Sequence, residues 1–309
     1  MGLGYLEVFD SLPVGRIVKA YSNIFDVRSE AGLYQCTARG KFKLKNERVF
    51  AGDRVRFSVT SEGPGSGKGV IEEILPRETL LTRPPVANVE QAVVVFTLKE
   101  PAFDHIILDR FLVLAESEAL DIIVCLNKSE LGEGSDIERL QNLYEGIGYR
   151  FVATSAKTGR GISSLKEQMM GKLSVLAGQS GVGKSTIINS IDPGLELDTS
   201  PVSSKVKRGT HTTRNVQLLT VDDHDSFVVD TPGFTYVTLT EIDRRELAFF
   251  FPEMYDLVSE CRFSTCVHWH EPGCAIKAAV AEGVVAKERY AHYVEFLGEI
   301  IEFEDSRYS

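Results

Sequence analysis

The chain has 309 residues, 43% hydrophobic and 25% charged, with a net charge of −10. That is a globular composition with room for two or three domains, and its acidity excludes a protein held on nucleic acid by charge alone. No apolar run approaches the roughly 18–20 residues a membrane span needs, and residues 1–10 carry acid rather than the basic start of a secretory signal. No membrane partner is expected, and a cytoplasmic location follows by elimination.

Residues 1–80 read as short strands over 15–20, 33–38, 53–59 and 70–74, separated by turn residues and a glycine-rich break at 63–69. Strands of this length and spacing predict a small barrel, of the OB or the SH3-like kind. Residues 36–56 hold seven bases (Arg39, Lys41, Lys43, Lys45, Arg48, Arg54, Arg56) against two acids, Glu47 and Asp53. Residues 246–309 hold five bases against twelve acids. Charge this uneven predicts different partners for the two ends, the basic run being either a partner-facing surface or a solvated strand face.

The proline-bearing stretch 75–88 reads as a linker. Beyond it, apolar strands at 91–97, 121–127, 149–154 and 173–177 alternate with helical patterns at 103–119, 135–146 and 162–170 and a helix opening near Lys184. Strands at 215–221 and 226–230 follow. Such alternation predicts a mostly parallel sheet covered on both faces. Beyond about 242 the pattern is helical, interrupted by cysteines.

Asn127-Lys128-Ser129-Glu130 ends the strand at 121–126 and resembles the N-K-x-D motif of GTPases. There a carboxylate accepts from guanine N1–H and the 2-amino group, a pair adenine does not offer. Asn127 would orient the base edge and the Lys128 stem would cover its face. Glu130 stands where that motif has Asp; its extra methylene shifts the oxygens but retains the bidentate contact. Thr154-Ser155-Ala156-Lys157 matches the loop that backs the base with main-chain N–H groups.

Gly178-Gln179-Ser180-Gly181-Val182-Gly183-Lys184-Ser185 matches G-x-x-x-x-G-K-S/T, and Thr186 continues into the helix. Its glycines let consecutive N–H groups turn inward on a phosphate, and the helix that follows presents its positive end to the same anion. Lys184 is expected on the β- and γ-phosphates and the Ser185 hydroxyl on Mg²⁺. Asp230-Thr231-Pro232-Gly233 closes a strand: Asp230 suits the Mg²⁺ shell, and the Gly233 N–H the γ-phosphate. Ligands for GTP and GDP are thus read from four separate segments, and the base site opposes ATP.

Three of the five cysteines crowd into fourteen residues as Cys261-x4-Cys266-x-His268-x5-Cys274. Three thiolates and an imidazole suit Zn²⁺ in a closed structural site, with His268 or His270 as the nitrogen ligand. Cys125, in the apolar run 122–126, is expected to be a buried structural thiol.

Ordinary GTPases run from phosphate loop to base motif; here the base motifs come first. The barrel-like N-terminus, this permuted order and the cysteine cluster together resemble the family of ribosome small-subunit-dependent GTPases, over nearly the whole chain. The resemblance implies an α/β P-loop GTPase core, circularly permuted, with an N-terminal OB-fold barrel and a C-terminal helical zinc-binding domain. The corresponding divisions are 1–80, 81–241 and 242–309. It implies His268 as the zinc ligand, one structural Zn²⁺ per chain, Mg²⁺ with GTP, and a monomer that binds the 30S subunit and its 16S rRNA late in maturation, hydrolysing GTP faster there. It also places switch I at 205–214, where Thr212 or Thr213 would close on Mg²⁺ and the γ-phosphate. Phe234 follows Gly233 where many GTPases carry a water-orienting glutamine. His211 is the catalytic candidate to position the water, the alternative being contact with RNA or solvent. A nucleotide-gated RNA-binding module with incidental turnover is the competing reading.

Overall fold

The computed structural model describes residues 12–40, 42, 47–63, 67–82, 84–195, 197, 216–221, 225–230 and 238–307. Packing divides the chain into two compact units: residues 1–90 with 169–175 and 202–233, and residues 91–168 with 176–201 and 234–309.

In the first unit, β1 (Val14–Tyr21), β2 (Ile24–Ser29), β3 (Gly32–Ala38), β4 (Arg54–Ser61) and β5 (Gly67–Ile74) pair in the order β1-β2-β3-β5-β4, and β4 returns to β1. All these pairs are antiparallel except β3 with β5, which gives the five-stranded OB-type barrel. Alternation sends Ile17, Phe25, Val27, Cys36, Val55, Phe57 and Ile71 into one core. Burial pushes the Cys36 thiol up to about 11, leaving it neutral. The expected linker instead forms a hairpin, β6 (Leu80–Thr82) with β7 (Pro85–Ala87). Leu81 and Val86 are fully buried there, and Pro85 sits at the strand start, where its missing donor costs no ladder bond. The segment is fastened to the barrel by Arg77 on the buried Asp53 carboxylate (2.6 Å) and by Asn88 Nδ2 donating to the Gly52 carbonyl (3.1 Å).

The same unit holds an antiparallel hairpin, β12 (Gln217–Thr220) with β13 (Phe227–Asp230), and the start of β11 (Leu173–Ala177), which runs parallel to β13. β12 pairs on its other edge with barrel strand β1.

In the second unit, β8 (Gln91–Phe96), β9 (Asp121–Leu126) and β10 (Arg150–Ala153) are parallel neighbours. β8 is buried along its whole length, as a strand covered on both faces must be. Helices α1 (His105–Ser117), α2 (Gly134–Ile147), α3 (Ile162–Met169) and α4 (Lys184–Ile191) connect or follow the strands. Asp104 caps α1 by accepting from the Ile107 N–H, and Gly148 ends α2 in the left-handed region. The chain's last third adds the single turn α5 (Pro252–Tyr255), then α6 (Ala275–Glu282) and α7 (Lys287–Ser306). Their apolar faces share one core with α1, through Val113, Phe251, Ile276, Tyr293, Phe296 and Ile300.

Candidate functional site

In the parallel sheet the loops at the carboxyl ends of the strands are where ligands bind, and there the sequence motifs meet. Asn127 follows β9 and is 1% exposed. Its Nδ2 donates to the Val182 carbonyl of the phosphate loop (2.8 Å). Its Oδ1 accepts from the Ala156 N–H (3.2 Å) and the Thr154 hydroxyl (3.2 Å). One buried amide therefore joins its own strand end to two segments that lie 27 to 55 residues away from it in the chain.

Three glycines of the phosphate loop, Gly178, Gly181 and Gly183, take positive φ, and two of them approach other segments closely. A Cβ on Gly178 (φ +139°) would lie 2.1 Å from the Val95 carbonyl oxygen, and one on Gly183 (φ +95°) would lie 2.5 Å from Asn127 Nδ2. Only glycine permits both approaches. Gly183 caps α4, so the helix opens at Lys184 with its first N–H groups toward the loop. Lys184 Nζ donates to the carbonyls of Gly178 (2.7 Å) and Gln179 (2.9 Å). Burial lowers its pKa to about 8. Ser180 and Gly181 form the exposed turn, and Ser185 and Thr186 stand in the first turn of α4.

On the base side Lys128 takes φ +56° and its Nζ donates to the Glu100 carbonyl (2.5 Å). Glu130 is exposed on the short turn Ser129–Leu131. Ser155 is buried, and its Oγ accepts from the Thr158 N–H. The Ala156 carbonyl accepts from Ser190 Oγ of α4 (3.0 Å), and Lys157 is exposed. Glu100, whose carbonyl holds Lys128, escapes motif reading because it acts through its main chain. Asp230 closes β13; its side chain, and His211, Thr212, Thr213 and Gly233, lie outside the described residues.

The second constellation is Cys261, Cys266, His268 and Cys274, whose ligand atoms lie within 4.8 Å of one another. Cys261 and Cys274 sulfurs are 3.4 and 3.5 Å from His268 Nδ1 and 3.9 Å from each other. A tetrahedron with metal–sulfur bonds of about 2.3 Å and metal–nitrogen bonds of about 2.0 Å has edges close to these. The donor set therefore fits a metal ion, with His268 ligating through Nδ1. Desolvation raises Cys274, and Cys266 to about 12, so a cation is what would stabilise their thiolates. The turn is held from outside. The Glu271 carboxylate accepts from the Val267 and Trp269 N–H groups, and the hydroxyls of Tyr290 and Tyr293 donate to the His268 and Val267 carbonyls. His270 is exposed and stacks on Trp269.

A glycine phosphate loop tied by one asparagine to N-K and S-A-K loops, with the base motifs earlier in the chain than the phosphate loop, defines a circularly permuted GTPase. Sequence profiles of the RsgA GTPase and of the RsgA N-terminal domain match residues 74–240 and 14–66. The chain is 45% identical to a small ribosomal subunit biogenesis GTPase RsgA of Moorella thermoacetica, over 94% of this chain and 99% of that one. It is 44% identical to the protein of the same name from Thermotoga maritima, over 93% and 96%. Among solved structures it resembles YjeQ from Thermotoga maritima (TM-score 0.80, 40% identity, 94% of this chain and 98% of that one). It also resembles YloQ, described as a circularly permuted GTPase (TM-score 0.81, 35% identity, 95% and 96%). The chain belongs to the RsgA GTPase family and is a GTP hydrolase.

Proposed function

We propose that this GTPase binds the small ribosomal subunit, assists its late maturation and hydrolyses GTP to GDP and phosphate faster when bound there. The observation that carries the nucleotide half is the Asn127 amide, which holds the base loop and the phosphate loop in one hydrogen-bonded unit. The ribosomal half rests on the relatives' names and on the barrel, a fold whose strands and loops take up oligonucleotides.

In this reading Glu130 accepts from guanine N1–H and the 2-amino group, Lys128 covers the base face, and Ser155, Ala156 and Lys157 back it. Gly178 to Gly183 wrap the phosphates with main-chain N–H groups, and Lys184 neutralises charge developing at the γ-phosphate. Mg²⁺ supplies further neutralisation when bound; Ser185, Thr213 and Asp230 would hold it. His211 would orient the attacking water, in the absence of a glutamine after Gly233. The four-ligand cluster holds one structural Zn²⁺. Functional divisions at 1–80, 81–241 and 242–309, 16S rRNA as the barrel's target, a monomeric state and a cytoplasmic location belong to the same proposal. Among the described residues no helix is long and apolar enough to cross a membrane.

The test is GTP and ATP turnover by the purified protein, alone and with purified 30S subunits. Slow GTP turnover, strongly accelerated by subunits and with ATP ignored, is expected. Equal turnover with and without subunits, or hydrolysis of ATP, would overturn it.

A further inference from the structure

The β12–β13 hairpin joins the two segments that respond to the γ-phosphate in GTPases. β12 begins four residues after Thr213, and β13 ends on Asp230. Gln217 pairs with Asp230, so both segments leave the hairpin at the same open end. The other edge of β12 is occupied by the barrel: Lys19 of β1 pairs with Gln217. Lys19, Gln217 and Asp230 therefore form one row across three adjacent strands, spanning roughly 10 Å at ordinary strand spacing.

The barrel also grips the closed end of the hairpin. Arg28 of β2 donates from Nη1 to the Thr220 hydroxyl (3.0 Å), the last residue of β12. Arg16 of β1 is 3% exposed and lies beside Asp225 (3.7 Å) and over the Phe227 ring (5.5 Å). Its Nε and Nη1 are buried with no hydrogen-bond partner among the described residues. A guanidinium held there without full pairing is a poor choice for stability alone, since an apolar side chain would pack on Phe227 without that desolvation. Barrel and hairpin lie in one compact unit, whereas the base motif at 127–130 and the phosphate loop at 178–186 belong to the other.

We propose that Arg28, acting through Thr220, is a positioning residue for GTP hydrolysis. With Arg16 it fixes the hairpin to the barrel, so that a load on the barrel reaches the backbone of Asp230 and the segment entering at Val216 without passing through the guanine or phosphate-loop contacts. The inference rests on the functional reading above only in taking GTP hydrolysis as the reaction and the barrel as the loaded domain.

The experiment compares wild type, Arg28→Ala, Thr220→Val and the double variant for melting temperature, GDP affinity and GTP hydrolysis, with and without purified small ribosomal subunits. GDP affinity within about twofold of wild type is expected throughout, because its contacts lie elsewhere. The hydrolysis rate is expected to fall at least fivefold in each single variant and no further in the double, and Arg28→Lys, which keeps a donor, is expected to recover part of it. Hydrolysis within twofold of wild type in Arg28→Ala would overturn the proposal. So would a rate and a GDP affinity that fall together with the melting temperature, the mark of a merely structural contact. If subunits fail to accelerate the wild type, the ribosomal reading fails, while the basal rates of the variants still decide this one.

Discussion

In its proposed role Lys184 meets two demands, reaching a phosphate and being buried. Burial lowers its pKa to about 8, against about 10.4 in an unfolded chain. Between those values the unfolded chain binds more protons, so the cost of charging Lys184 is fully felt below pH 8 and is relieved as pH rises toward 10.4. A polyphosphate beside Nζ favours the ammonium, so GDP binding above pH 8 draws in a proton. GDP affinity is expected to be insensitive to this group near pH 7 and to weaken by up to about tenfold per pH unit above 8. Calorimetry at pH 8.5 in buffers of different ionisation enthalpy is expected to register uptake of up to about three-quarters of a proton. Zero uptake would mean that the lysine is already fully charged in the free protein. Asn127 makes a different kind of contribution, through geometry. Asn127→Ala removes the donor to Val182 and the acceptor for Ala156 at once. Leaving those groups buried costs about 1–3 kcal/mol, a roughly 5- to 150-fold loss of GDP affinity by fluorescence titration. Unchanged affinity would show that the two loops hold their places without it.

At the scale of elements, the cysteine turn is a small piece fastened to a large one. Its own apolar content is slight, but Tyr290 and Tyr293 hold its carbonyls from α7, and Glu271 holds its N–H groups. Metal removal is expected to strip hydrogen-exchange protection from about residues 255–280, while β8, β9, β10 and α4 keep theirs. Equal loss in the parallel strands would mean that the metal site supports the whole unit. The same elements show what a sequence carries. The phosphate loop and the N-K and S-A-K loops are legible because their chemistry needs particular residues at fixed local spacing. Four barrel strands are legible from alternation, but β2 escapes: it is six residues long and its inward positions are only Phe25 and Val27, with Ile24 exposed. The β6–β7 hairpin hides behind Pro84 and Pro85, read as breakers, because its strands are three residues each and are fixed by distant partners. Spacing leaves His268 and His270 open. Burial separates them, with His268 1% exposed and its Nδ1 on the sulfurs and His270 stacked outside.

Across the molecule, the least legible feature is the junction between α1 and α7. Arg289 is 1% exposed and bonds Asp109 (2.6 Å), 180 residues away, and Glu253 (2.7 Å). His292 Nδ1 meets the other Asp109 oxygen (2.6 Å), and the Tyr144 hydroxyl donates to the first (3.3 Å). Burial opposes the charge on Arg289, but Asp109 and Glu253 more than offset it and hold the guanidinium protonated. A buried network like this adds little net stability over apolar packing, yet breaking one member strands the others. Asp109→Ala is therefore expected to cost about 3–5 kcal/mol in urea unfolding. Its effect is expected to be non-additive with that of Arg289→Met, since the two side chains share one network. The network also determines how the unit unfolds. Trp269, the single tryptophan, lies beside the cysteine turn, so its fluorescence follows the last third of the chain, while far-UV circular dichroism follows the whole. With α1 and α7 sharing both a core and this network, Trp269 fluorescence is expected to change together with loss of GDP binding in the wild type, as one cooperative step. In Asp109→Ala the two are expected to separate, with Trp269 changing at lower urea while GDP stays bound. Coincident transitions in the variant would mean that the apolar core alone couples the helical segment to the nucleotide site, and that Asp109 and Arg289 contribute only to stability.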